Sequence, residues 1–222
     1  MIPLRSIALA LLPLLFSPSH LPAQTAAQIR FTYENPKLEP HKYVLAVGED
    51  GSGTFRSEGG GGSADGQSMS SESLDRPIHV SKTVRESMFA AARKNKFFGK
   101  ACDDGGKNIA FQGTKTLEYK GPDGQGSCIY NWSKNAQIDK LTDQFEAIAT
   151  TLDEGSKLQR QYEHGRLSLD SEMEILEQMV REGRAIEIEN IAPLLKTLAG
   201  DEAVLQRVQR RARTLLEAVP SD

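Results

Sequence analysis

Between residues 28 and 133, apolar side chains recur at every second position in short runs. Ile29, Phe31 and Tyr33 alternate with polar neighbours, and Tyr43, Leu45 and Val47 repeat the pattern. This is the period of a strand with one buried face. Asp50-Gly51 stands between the second run and Thr54–Ser57, which predicts a hairpin because the turn needs positive φ. Three further short strands are predicted around Ile109 and Phe111, Leu117 and Tyr119, and Cys128, Tyr130 and Trp132. Gln112-Gly113-Thr114 and Gly121-Pro122-Asp123-Gly124 are the turns between them. Turns this short exclude a crossover, so the strands form an antiparallel meander.

Two helices interrupt and close this region. One starts at Ser81 as N-cap, carries Val84, Met88, Ala91 and Ala92 on one face, and ends near Asn95, with Phe97 and Phe98 plugging its end into the core. The other has Ile138, Leu141, Phe145, Ile148 and Leu152 at three- and four-residue steps and stops at Gly155. Beyond it the period is helical throughout. Asp170 or Ser171 starts a helix, Ser171 with Glu174 fitting a capping box; Met173, Leu176, Met179 and Val180 form its apolar face and Gly183 ends it. Ile188, Ile191, Leu194, Leu195 and Leu198 mark the next, with Pro193 in its first turn. Gly200-Asp201 separates it from a last stripe of Val204, Leu205, Val208, Ala212, Leu215, Leu216 and Val219. The expected fold is α+β: an antiparallel sheet with packing helices over residues 24–153, then an all-helical region over 154–222.

The first 23 residues read differently. One positive charge at Arg5 precedes an apolar run over residues 6–16 and a small, proline-containing stretch ending at Ala23. That order is a secretory signal peptide, and the run is too short to cross a bilayer. The expected mature start is near Gln24 or Gln28, and the expected location is secreted or periplasmic. No later segment is apolar for long enough to serve as a transmembrane anchor.

Cys102 and Cys128 are the two cysteines. In an exported chain an isolated pair forms one structural disulfide. The alternatives, a redox pair or metal ligands, fit less well, because the spacing is not Cys-x-x-Cys and the histidines show no ligand spacing. No metal and no cofactor is expected. Asp103, Asp104 and Asp123 lie beside glycines but lack calcium-loop spacing, so they read as turn formers. The glycine- and serine-rich stretch over residues 59–73 lacks the flanking strand, helix and lysine of a phosphate loop.

A formal charge of −3 provides no broad positive field for nucleic acid. Positive charge gathers at Arg207, Arg210, Arg211 and Arg213, expected on the outward side of the last helix as a possible partner-binding patch or a solvated face. Tyr33, Tyr43, Tyr119, Tyr130 and Trp132 form either an aromatic ligand platform or cross-strand core pairs, the commoner role. No nucleophile elbow, zinc-protease or P-loop motif occurs.

Tyr43-x-Leu45 followed by Asp50-Gly51 and Thr54-Phe55, a helix closing in Phe97-Phe98, and a meander ending in a helix resemble a family of small exported bacterial α+β domains of unknown function, over about residues 43–152. The resemblance implies a secreted α+β domain and bacterial export, and no activity. The expected function is therefore a non-catalytic binding or structural module of the cell envelope, with an envelope protein as possible partner. The alternative is an envelope hydrolase whose acidic residues are scattered in sequence.

Overall fold

A computed structural model describes residues 26–59, 73–100, 102 and 109–219. The signal-like segment, most of the glycine-rich stretch and Asp103 and Asp104 lie outside the described residues. Six antiparallel strands form one sheet in the order β4-β3-β2-β1-β5-β6: β1 (Gln28–Glu34), β2 (Lys42–Gly48), β3 (Ser52–Glu58), β4 (Leu74–His79), β5 (Thr114–Gly121) and β6 (Gly124–Tyr130). The first four make a meander, and the β5–β6 hairpin is added on the other side of β1. Helix α1 (Lys82–Lys94) carries the chain between the two groups.

Alternation places Ile29, Phe31 and Tyr33, Leu45 and Val47, Phe55, and Leu117 and Tyr119 on one buried face. In register, Phe31 sits between Leu45 and Leu117, and Tyr33 between Tyr43 and Lys115. Helices α1 and α2 (Ala136–His164) cover this face, with the Phe145 ring stacked on Phe31 at 5.0 Å between centroids.

The structure departs from the sequence reading in four elements. Residues 109–111 form no strand. The fourth strand is Leu74–His79, which the pattern does not announce. It is an edge strand, where Pro77 and charged residues cost no central hydrogen bonds. Helix α2 does not stop at Gly155 but runs on to His164. The glycine is there because a neighbour comes close: a Cβ at that position would lie 2.4 Å from the Cγ2 atom of Ile191. Finally, α3 (Leu169–Arg181) starts ahead of Ser171 and has no side-chain cap bond, so the capping box is not formed.

The turn after α1 shows what Phe97 and Phe98 do. Lys96, Phe97 and Phe98 all have left-handed φ, between 52° and 64°, a backbone cost that surrounding contacts must offset. Phe98 is fully buried, and the Phe97 ring packs on Tyr119 at 4.9 Å. Gly124 and Gly126 make room for this turn: a Cβ on either would meet the Phe97 ring or its carbonyl oxygen at 2.3–2.4 Å. Nearby, Cys102 and Cys128 are joined by a disulfide with Cα atoms 5.7 Å apart, which ties this segment to edge strand β6.

The C-terminal helices α3, α4 (Ala192–Gly200) and α5 (Gln206–Glu217) enclose a second apolar cluster containing Leu169, Met173, Leu176, Ile191, Leu195, Leu198, Val208 and Leu215. Gly183, at φ 70°, ends the turn after α3, and Pro193 lies in the first turn of α4 as expected. Leu205, placed on the buried stripe by its spacing, is half-exposed, because α5 begins only at Gln206. Helix α2 belongs to both clusters. Ile138 to Leu152 face the sheet, and Leu158 faces α3–α5.

Polar ties reinforce the join between the two parts. The Ser81 hydroxyl and backbone N–H donate to the two carboxylate oxygens of Glu187, at 2.8 and 2.7 Å. Asn190 donates to and accepts from the backbone of His79, at 2.8 Å each. The Thr151 hydroxyl donates to the Ile186 carbonyl at 2.6 Å. Ser81 thus caps the start of α1 in position only, its hydroxyl being spent on Glu187.

Candidate functional site

One end of the sheet carries a row of side chains unlike the apolar rows behind it. Tyr130, Lys115, Tyr33, Tyr43 and Ser57 occupy matched positions on β6, β5, β1, β2 and β3. Tyr33 and Tyr43 stack at 5.1 Å between ring centroids. The Tyr33 hydroxyl donates to the Gln112 carbonyl at 3.0 Å, anchoring the segment that enters β5. Lys115 is almost fully buried: its Nζ donates to the Asn131 carbonyl at 3.3 Å, lies 3.6 Å from Glu146 and sits 5.8 Å from the Tyr33 ring centre.

Over this row α2 and the β1–β2 loop leave a cleft of about 390 Å³. Tyr33, Tyr43 and Phe55 form its floor, Leu38 and Pro40 one lip, and Met179 of α3 reaches its far side. Glu146, Ala149, Thr150, Asp153 and Glu154 line the α2 wall. These positions repeat at three and four residues, so one stripe of the helix faces the cleft.

Glu146 and Glu154 on this stripe are perturbed. Burial pushes the Glu146 carboxyl above its usual range; Asp143 and Asp139 add to this and Lys115 opposes it. Burial also raises the Glu154 carboxyl, with Asp153 and Glu172 adding to the effect and Lys157 opposing it. Glu154 is only 5% exposed. Its Oε1 accepts from Lys157 at 2.7 Å, while its Oε2 is buried without a hydrogen-bond partner. Burial acts to lower the Lys157 ammonium, but hydrogen bonds to Glu154 and Asp153 outweigh it and hold the group above its ordinary value.

A carboxyl raised in the folded state binds more protons there than in the unfolded chain. Its contribution to stability is then fully present below the unfolded value of about 4.3 and is lost as pH rises through the folded value. The gain in unfolding free energy of Glu154→Gln over the parent protein should therefore grow from pH 4.3 upward. Urea titrations of both proteins between pH 4 and 8 measure it. A difference independent of pH would contradict a raised Glu154.

The residues singled out from sequence fall in several places. Cys102 and Cys128 are bonded to each other. Of the aromatic residues, Tyr33 and Tyr43 reach the cleft, whereas Tyr119 and Tyr130 are core, the latter hydrogen-bonded to Thr142 at 2.5 Å. Asp123 is spent on structure. It accepts from Arg93 at 2.7 Å and from Tyr119 at 2.5 Å, tying α1 to the β5–β6 turn. Burial and that hydrogen bond push the Tyr119 phenol up to about 12. Among the described residues no group of three or more His, Cys, Asp and Glu is placed to hold a metal ion.

The four arginines do not form one outward patch. Arg211 turns back onto α3, paired with Asp170, Glu174 and Glu177, and its side chain is only 24% exposed. Arg207 also pairs with Asp170, at 2.7 Å. Arg213 donates to the Ala199 carbonyl at 2.9 Å, and Arg210 is exposed. The outward placement expected for all four fails at Arg211 because the acids of α3 face that side of α5. Two of the four charges thus act as a clamp between helices.

Lys115, Glu146 and Glu154 were not singled out from sequence. Lys115 sits at an inward position of the alternation that Leu117 and Tyr119 set, and a lysine on an apolar strand face is the one signal that would have found it. No helix among the described residues is long and apolar enough to cross a membrane. No protein-family model matches the chain, and a search of curated proteins returns no similar sequence.

Proposed function

We propose that this protein is a non-catalytic binding module of an exported or envelope compartment, with its ligand held in the cleft between α2 and the Tyr33–Tyr43 end of the sheet. The signal-like N-terminus and the disulfide support the compartment. The observation that carries the binding reading is the cleft itself: a concave site with apolar and aromatic lining and a few convergent charged groups, the usual make-up of a ligand pocket.

A second reading, an envelope hydrolase using paired acids, draws on the raised carboxyls of Glu146 and Glu154. Their spacing opposes it. Eight residues apart on one helix, they stand about 12 Å apart along its axis, beyond the roughly 5–9.5 Å that paired-carboxylate hydrolysis uses. The hydroxyl of Thr150 in the same wall donates to the Glu146 carbonyl, which leaves it engaged with the helix backbone.

A fragment screen by two-dimensional NMR tests the binding reading. Shifts should cluster at Tyr33, Tyr43, Ala149 and Thr150 and vanish in Thr150→Trp, which fills the cleft from a partly exposed position. Shifts scattered over other surfaces would overturn it. Hydrolysis of an envelope glycan, lost in both Glu146→Gln and Glu154→Gln, would replace it with the second reading.

A further inference from the structure

We infer that the cleft recognises a single cationic group, an ammonium or guanidinium, carried on an apolar body, and that Glu154 receives the charge. This rests on the cleft being a binding site, as proposed above. Three observations lead to it.

The first is Glu154 Oε2. It is a carboxylate oxygen on a residue 95% removed from solvent, it belongs to a residue that lines the cleft, and it has no donor. Buried charged oxygens are ordinarily hydrogen-bonded, because leaving one without a donor forfeits its hydration with nothing in return. The oxygen itself is closed to solvent, so a ligand donor from the cleft completes it by displacing the side chains that cover it.

The second is the balance of charge along the α2 wall. Lys115 and Glu146 form one neutral pair at the β5 end. About 12 Å further along the helix axis, Asp153 and Glu154 share one cation, Lys157, at 2.9 and 2.7 Å. These three groups keep one negative charge in excess, which favours a positive charge on the ligand. Lys115, already paired, lies at the opposite end and does not repel it.

The third is the floor. Leu38, Pro40 and Met179 offer apolar surface around the buried Tyr33, Tyr43 and Phe55 rings. That surface suits the apolar body that carries the charge.

The group has two sources, a small free amine or a basic side chain presented by a protein. Titrating the oxidised protein with 2-phenylethylammonium and with a blocked Phe-Lys-Leu tripeptide, followed by NMR, distinguishes them by which binds tighter; binding of either supports the inference. Phenylpropionate and 2-phenylethanol are the anionic and neutral controls. The cation should bind at least tenfold more tightly than either, with shifts at Thr150 and Tyr43. Equal binding of 2-phenylethanol would overturn the cationic class and leave the cleft as a binding site. Shifts from none of the probes would overturn the inference and the binding reading together.

Glu154→Gln should weaken the cation at least tenfold while leaving 2-phenylethanol unchanged. An unchanged cation affinity would show that Glu154 does not receive the charge. If Glu154→Gln fails to fold, Asp153→Asn, at a less buried position, removes the excess charge and should bring the same selective loss. Its absence there would equally overturn the assignment.

Discussion

Truncation after Gly165 is expected to yield a chain that melts far below the full protein and aggregates on warming. The cut removes α3, α4 and α5 and exposes Leu158, fully buried on α2. It also takes away Ile191 from its contact with Gly155 and the bonds of Glu187 to Ser81, Asn190 to His79 and Ile186 to Thr151. Uncovering Leu158 and breaking three such ties amounts to about 3–7 kcal/mol. For a chain of this size that is a fall in Tm of about 6–28 °C. Differential scanning calorimetry measures it. An unchanged Tm would show that the C-terminal helices do not brace the sheet, and would favour them as a surface for a partner. Their large exposed apolar residues, Leu167, Ile175 and Leu205, are few and differently placed along the segment, while the remaining stripes close on one another. That arrangement favours the brace.

Replacing Cys102 and Cys128 together by serine is expected to cost about 3.5 kcal/mol, the chain-entropy value for a loop of this length. The sequence separation of the pair is 26 residues. The bond holds the segment after the left-handed Lys96–Phe98 turn against edge strand β6, and both cysteines are buried at 6% exposure. Urea unfolding with a lower midpoint and a larger m-value is the expected result, because the unbridged denatured chain exposes more surface; the parent protein under reductant should match it. A midpoint unmoved in both would show that packing alone holds the segment.

The central strands were legible because each buries one face, so polar and apolar positions alternate without exception from Ile29 to Tyr33. The same logic hid β4. Only Leu74 and Ile78 face inward on this edge strand, with Arg76 between them and Pro77 beside it, too short an alternation to stand out. Helix α2 was read as ending at Gly155 because glycine ordinarily stops helices. Here the side chain is missing to let Ile191 in, a tertiary cause that spacing cannot show. The site was legible only in part. Tyr33 and Tyr43 are visible as strand aromatics, but Lys115 meets Glu146 through the register of β5 and the path of α2. The burial of Glu154 depends on α3 folding back over the far end of α2. Charged residues in a helix read as its solvated side until a second layer covers them.

Helix α2 has one further consequence. Leu152 faces the sheet and Leu158 faces the C-terminal helices on a single unbroken rod. Each residue inserted between them would turn one set of contacts by about 100° against the other and move it about 1.5 Å along the axis. The length of this stretch is therefore a phase, set in whole residues. It admits substitutions but no insertion or deletion, whereas the loops at either end can grow at little cost.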